Sequence, residues 1–179
     1  MQFHFATLSA ELAGAPPHPW PGFTMSVCQL RPESRGSVRI RSSDPFDAPA
    51  MRPNYLAAEL DRRCAIAGIR FARRLAQTGA LQPYVASEYR PGEQACSDED
   101  LLEFARNYGA TIFHPSGTCK MGGDDMAVVD PQLKVHGVQN LRVVDCSIMP
   151  TLVSGNTHAP VVMIAEKASD LILGDRSQA

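Results

Sequence analysis

Apolar and polar positions alternate in short runs at the beginning of the chain and switch to helical spacing further on. The opening "QFHFATLSAELAGAPPHPWPGF" starts as a strand and runs into a loop carrying Pro16, Pro17, Pro19 and Pro21. Two further β-rich runs, "FTMSVCQL" (Phe23 to Leu30) and "GSVRIRSSD" (Gly36 to Asp44), flank the turn-like "RPESRG" and predict an antiparallel pair. From Asn54 to Gln77, Leu56, Leu60, Cys64, Ala67, Phe71 and Leu75 recur in steps of four and three, which predicts a helix with these residues on one face and Gly79 as its stop. A second helix is announced by Ser97 with Asp100 three residues on, a capping box, and runs to about Gly109.

The remainder of the chain is more broken. "AVVDPQLKVHGVQNLRVVDCSIMP" sets short β-rich pieces between Asp-Pro and His-Gly turns and predicts a small meander leading into a buried strand, Leu141 to Val144. "TLVSGNTHAPVVMIAEKASDLILG" predicts a loop opening a final helix, with Asn156 and Thr157 as polar starters, Pro160 in the first turn and Gly174 at the end. The fold class expected from these elements is α+β, a mixed arrangement of antiparallel strands and helices.

Composition narrows the field. At 179 residues the chain can bury roughly two-thirds of its unfolded surface, and an apolar share of 44% with a charged share of 20% is that of a globular protein. Seventeen basic and nineteen acidic side chains nearly cancel, and no dense Lys/Arg cluster is present to track a phosphate backbone, so nucleic acid is not an expected partner. Five widely spaced cysteines without a C-x-x-C pair fit a reducing compartment, which points to a cytoplasmic location. The first twenty residues lack a secretory pattern, and no apolar run approaches the roughly 20 residues of a transmembrane helix.

Three chemistries are open to these residues. A metal would need ligands from His114, Cys119, His136, Cys146 and His158, whose spacing matches neither paired structural zinc ligands nor the i, i+4 histidines of a zinc protease; no metal is expected. A Cys119 nucleophile activated by His114 or His158 is supported by residue type alone. The third reading pairs His114, in a Gly-Thr loop, with Asn156, just ahead of the last helix. A neutral imidazole can accept an alcohol's proton as its carbon gives up hydride, while a carboxamide holds the same oxygen. No side chain accepts hydride, so that reading requires a flavin or nicotinamide. The N-terminus of the last helix, with its unpaired N–H groups, would favour negative charge on a reduced flavin. The residues alone leave a plainer account open, in which Asn156 is a helix cap and His114 a hydrogen-bonded loop histidine.

The motifs "GFTMSVCQLRPESRGSVRIRSSDP", "PNYL", "HPSGTCKMG", "VVDPQLKVHGVQNLRVVDCSIMP" and "SGNTHAPVVMIAEKASDLI" follow one another along nearly the whole chain. In that order they resemble the C-terminal portion of a glucose-methanol-choline (GMC) oxidoreductase, most closely the choline dehydrogenase and alcohol dehydrogenase-like branch. The resemblance implies an FAD-dependent enzyme acting on the CH–OH group of a small-molecule alcohol, choline-like or another primary alcohol, with hydride passing to flavin N5. It implies His114 as the catalytic base and Asn156 as the second active-site position, and it places Asp145, Cys146, Asn156, Thr157 and His158 at the FAD. The branch usually has Asn where this sequence has His158.

By the same resemblance, residues 1–110 would be part of the substrate-binding domain, an antiparallel sheet with helices. Residues 111–179 would form the C-terminal catalytic and FAD-contacting segment, with Val161 to Leu173 packing onto the FAD domain. The G-x-G-x-x-G fingerprint of the family's nucleotide-binding half occurs nowhere among the thirteen glycines. The expectation is therefore a fragment that needs an N-terminal FAD-binding half as partner. The alternative from a different class is a noncatalytic remnant or interaction module without flavin.

Overall fold

The computed structural model describes residues 1–12 and 14–176, and the chain divides into two compact units. The first combines Met1–Gly36 with Pro53–Thr111, and the second combines Ser37–Arg52 with the residues from Ile112 onward. Helices and short antiparallel strands occur in both, a mixed α+β composition.

In the first unit β1 (Gln2–Ala6) pairs antiparallel with β2 (Thr24–Cys28), Gln2 facing Cys28 and Ala6 facing Thr24. The predicted pairing of the Phe23 to Leu30 run with the Gly36 to Asp44 run is not formed. Its would-be turn is held elsewhere: the N–H groups of Glu33 and Ser34 donate to the two carboxylate oxygens of Asp61 at 2.9 and 2.7 Å, and the Ser34 hydroxyl accepts the Ala58 N–H at 3.0 Å. A turn fastened to the start of a helix cannot close a hairpin, so β2 completes its ladder with β1.

Helix α1 (Glu59–Ala76) packs on β2 and against α2 (Asp98–Tyr108). Its buried residues are Asp61 and Gly68, whereas Leu60 and Phe71 remain 41% and 39% exposed. The buried line is thus turned by about one residue from the apolar face, and Gly68, which has no side chain, lies close against Val27 of β2. Phe71 still reaches Phe3, with ring centroids 5.3 Å apart. Gly79 does not terminate the helix in a left-handed cap; Gln77 does so in ordinary helical conformation. The guanidinium of Arg73 ties the following loop, donating to both oxygens of Glu88 at 3.1 and 2.9 Å and to the carbonyls of Ala95 and Gly92 at 2.7 and 3.0 Å.

The capping box of α2 forms as the sequence predicts. Asp100 N–H donates to the Ser97 hydroxyl at 3.1 Å, Ser97 N–H donates back to the Asp100 carboxylate at 2.9 Å, and Gly109 closes the helix. Leu101 and Leu102 supply its buried face.

The second unit begins with β3 (Ser37–Arg39) paired antiparallel with β4 (Ala50–Arg52). Its core gathers Val129, Leu133, Ile148, Met149, Ile164 and Ala168, with the last two supplied by α3 (His158–Arg176). The predicted strand Leu141 to Val144 is absent as a strand: the meander makes only isolated bridges, Met121 with Val129, Val129 with Val135 and Lys134 with Arg142. Turns at Asp130-Pro131 and His136-Gly137, with left-handed backbone at Leu133 (φ 67°) and Asn140 (φ 60°), redirect the chain before a second ladder rung can form. Pro160 lies in the first turn of α3 as predicted, while Gly174 falls inside the helix.

Candidate active site

The site lies wholly within the second unit. His114 is presented by the loop 112–121, which runs beside the short 3-10 turn Cys146–Ile148. Three backbone bonds fix that course: Gly117 N–H to the Cys146 carbonyl at 3.4 Å, Cys119 N–H to Ser147 at 3.0 Å and Met121 N–H to Ile148 at 2.8 Å. The Cys146 thiol adds a fourth tie, donating to the Pro115 carbonyl at 3.1 Å. Asp145 caps the turn, its carboxylate accepting the Ser147 N–H at 2.7 Å.

Gly117 is required where it sits. Its φ of +83° is a left-handed conformation that strains other residues, and an added Cβ would stand 3.2 Å from the Met149 carbonyl oxygen. Phe113 also takes a left-handed φ of +62° although it has a bulky side chain, and that side chain is 78% exposed. Strain in a non-glycine residue next to the histidine is of the kind that collects at functional sites.

Two adjacent residues just ahead of α3 clasp the His114 ring. The Thr157 hydroxyl lies 2.8 Å from Nδ1, and the Asn156 carboxamide nitrogen lies 3.0 Å from Nε2. Thr157 is buried, at 7% exposure, and its carbonyl accepts the Val161 N–H at 3.0 Å, the first hydrogen bond of α3. Asn156 is exposed and His114 half-buried, so the Nε2 side of the ring is the open one.

Of the residues expected at the site, His114, Asn156 and Thr157 meet directly. Cys146 and Asp145 act on the loop that carries His114. His158 is the first residue of α3, with an exposed side chain, outside the hydrogen-bonded set around His114. Among the described residues no group of three or more His, Cys, Asp or Glu is arranged to hold a metal, and all five cysteines are free thiols. The direct bond from Thr157 to Nδ1 was not foreseen from the sequence. It spans 43 positions and no local spacing signals it.

The donor set is compatible with a flavin ring. Beside the His114–Asn156 pair, α3 begins with the N–H groups of His158 and Ala159, which precede the first internal bond at Val161, and with Pro160, which has no N–H to satisfy. A 19-residue helix directs its positive pole there. This is the environment an anionic edge of a reduced ring prefers. The phosphate-cradling glycine turn of a dinucleotide site is not in this sequence, so the fit concerns the ring end of the cofactor only.

Residues 32–165 match the C-terminal family model described as GMC oxidoreductase. The chain is 45% identical over 174 residues to the oxygen-dependent choline dehydrogenase of Pseudomonas syringae pv. tomato, covering 97% of this chain and 31% of that protein. It is 44% identical over 177 residues to the protein of the same name from Staphylococcus aureus strain JH9, with the same coverages. Among solved structures, a formate oxidase from Aspergillus oryzae RIB40 superposes with a TM-score of 0.86 at 32% identity, over 94% of this chain and 30% of that one. Pyridoxine 4-oxidase from Mesorbium loti gives 0.77 at 33% identity, over 87% and 30%. The chain thus spans about 31% of the length of the curated relatives it matches. With three-quarters of its residues inside the family model and structural agreement over nearly its full extent, the chain belongs to the GMC oxidoreductase family.

Proposed function

We propose that this chain forms the catalytic part of an FAD-dependent oxidoreductase that acts on the CH–OH group of a small alcohol, choline or another primary alcohol, with His114 as the base. The observation that carries this reading is the clasp of His114 Nε2 by the Asn156 carboxamide at 3.0 Å on the open side of the ring. A carboxamide nitrogen only donates, so the Nε2 that faces it presents a lone pair, the state a general base requires.

An alcohol oxygen entering between the two groups accepts from Asn156 and donates its proton to Nε2, with hydrogen-bond distances of about 2.7–3.0 Å to each. The two nitrogens must then move apart, and the exposed Asn156 is the one able to swing. The contact seen here is therefore the closed form of a substrate-oxygen site. When FAD is bound, its ring supplies the acceptor for the hydride that leaves the alcohol carbon. Asn156, Thr157 and His158 at the start of α3, with Asp145 and Cys146 in the adjoining turn, are the residues proposed to hold the ring end of that cofactor. Residues 1–110 are assigned to the substrate-binding portion and 111–179 to the catalytic and FAD-contacting segment, with a nucleotide-binding half supplied by an N-terminal partner or a longer chain. The sequence similarity to oxygen-dependent choline dehydrogenases supports the choice of donor class.

The test has two stages. The chain is purified alone and then combined with a fingerprint-bearing N-terminal half; absence of flavin absorbance from both samples would refute the enzyme reading for this polypeptide. In the flavin-loaded protein, His114→Ala is expected to slow reduction of the flavin by alcohol about 10²–10⁴-fold while the flavin stays bound. Loss of flavin with unchanged reduction in the fraction that retains it would instead assign His114 a structural role.

A further inference from the structure

We infer that Thr157 is the positioning residue that fixes the tautomer of His114, holding the proton on Nδ1 so that Nε2 is the basic nitrogen. The inference deepens the proposed role of His114 as base and rests on it for its effect on turnover, although not for its effect on the ring itself. The two neighbours of the imidazole differ in kind. The carboxamide nitrogen of Asn156, 3.0 Å from Nε2, can only donate; the hydroxyl oxygen of Thr157, 2.8 Å from Nδ1, can accept. A neutral imidazole has one N–H, and this pair of neighbours accommodates it only on Nδ1.

The two neighbours also differ in mobility. Asn156 is exposed, while Thr157 is buried, β-branched and anchored through its carbonyl to the first bond of α3. When an alcohol displaces Asn156 from Nε2, Thr157 is the contact that remains, and it keeps the lone pair pointed outward. After the alcohol proton has moved to Nε2, the ring is an imidazolium with two N–H groups, and the Thr157 oxygen continues to accept from one of them. The contact thus holds the direction of Nε2 before and after the proton moves.

The experiment compares wild type, Thr157→Val and Thr157→Ser in the flavin-loaded protein with ¹⁵N-labelled histidine, the His114 signals being identified by their loss in His114→Gln. In wild type at alkaline pH, Nδ1 should show the protonated nitrogen shift and Nε2 the unprotonated one. Thr157→Val, which keeps the shape and removes the hydroxyl, should move population to the other tautomer. Flavin reduction by alcohol should slow about 10- to 100-fold. Thr157→Ser should restore the tautomer and most of the rate.

A wild-type ring protonated on Nε2 overturns the inference, as does a valine variant that retains the wild-type tautomer. If Thr157→Val loses its flavin, the wild-type and Thr157→Ser spectra still decide the tautomer. If His114→Ala leaves flavin reduction unchanged, the base assignment fails, while the tautomer measurement judges the Thr157 contact independently.

Discussion

Gly68 is the position where the packing of α1 on β2 can be tested most sharply, because two opposing terms of known size meet there. An interior helical glycine replaced by alanine ordinarily gains about 1 kcal/mol from helix propensity. In this chain an added Cβ would stand 2.6 Å from Val27 Cγ2, 2.8 Å from Cγ1 and 3.2 Å from Cβ. Favourable carbon contacts lie at about 3.5–4.0 Å, so the helix or the strand must give way by roughly 1 Å. Turning the Val27 side chain cannot relieve all three contacts, since one involves the Cβ fixed to the backbone, and a β-branched residue in a strand has few rotamers. Overpacking of this kind costs about 1–3 kcal/mol, which outweighs the propensity gain in most of its range. Gly68→Ala is expected to destabilise the α1–β2 contact by about 1 kcal/mol net.

Hydrogen-exchange mass spectrometry on peptides from β2 and α1 reads this as a loss of protection of roughly fivefold. Val27→Ala removes both methyls, so the double variant should recover most of what Gly68→Ala loses, with a coupling of at least about 1 kcal/mol. Gly79→Ala is the control: nothing lies within 4 Å of its Cβ position and its φ is ordinary, so it should be neutral or slightly stabilising. A Gly68→Ala variant more protected than wild type, or a coupling near zero, would refute the close approach of α1 to β2.

Two further predictions concern fixed turns. Asp61→Ala leaves the Glu33 and Ser34 N–H groups without their acceptor and should reduce protection of that turn by about 2–4 kcal/mol. Burial pushes the Asp61 carboxyl up, but bonds from the Ser34 side chain and from the Glu33 and Ser34 backbone outweigh it and hold the group below the usual carboxylate range. With the folded value depressed, its stabilisation is full above the unfolded value of about 3.9 and is lost as pH falls through the lower folded value. The gap between wild type and Asp61→Ala should therefore be constant near neutral pH and shrink below about pH 4, measured by the same exchange experiment on the acid side. At Gly117, substitution by alanine combines the left-handed penalty of about 1–2 kcal/mol with contact against the Met149 carbonyl. It should slow flavin reduction in the loaded protein by displacing His114, and an unchanged rate would mean that this loop does not position the proposed base.

The two helices with strong local signals were legible in the sequence, and the reasons are physical. Ser97 and Asp100 satisfy each other's N–H groups within four residues, so the capping box needs no distant partner. The α1 periodicity predicted a helix but not which side is buried, because the buried line rests on Gly68 and Asp61, two residues that hydrophobic patterning does not score as core. The β2–β3 hairpin was misread since its turn is fastened by Asp61, 27 and 28 positions away from the amides it holds. His114 and Asn156 were legible by type and motif. Setting both on one alcohol oxygen followed from their chemistry, whereas the direct contact of the two side chains depends on 41 intervening residues returning to one point and has no local signal.

That return explains why a strained loop can serve as a precise mount. The left-handed backbone at Phe113 costs free energy locally, and an exposed loop with no further ties would relax out of it. Here the loop 115–121 is fastened along Cys146–Ile148 by three backbone bonds and the Cys146 thiol, and that turn abuts the core containing Ile148, Met149 and α3's Ile164. Thr157 then joins the ring of His114 to the start of the same helix. The histidine is held from both sides through one packed core, so a cavity opened at Ile164 or Ile148 should loosen the proposed base without touching it. If His114 is the base, the first sign of such loosening is a lower rate of flavin reduction at unchanged alcohol affinity, because the core would then maintain the orientation of Nε2 and not the space for substrate.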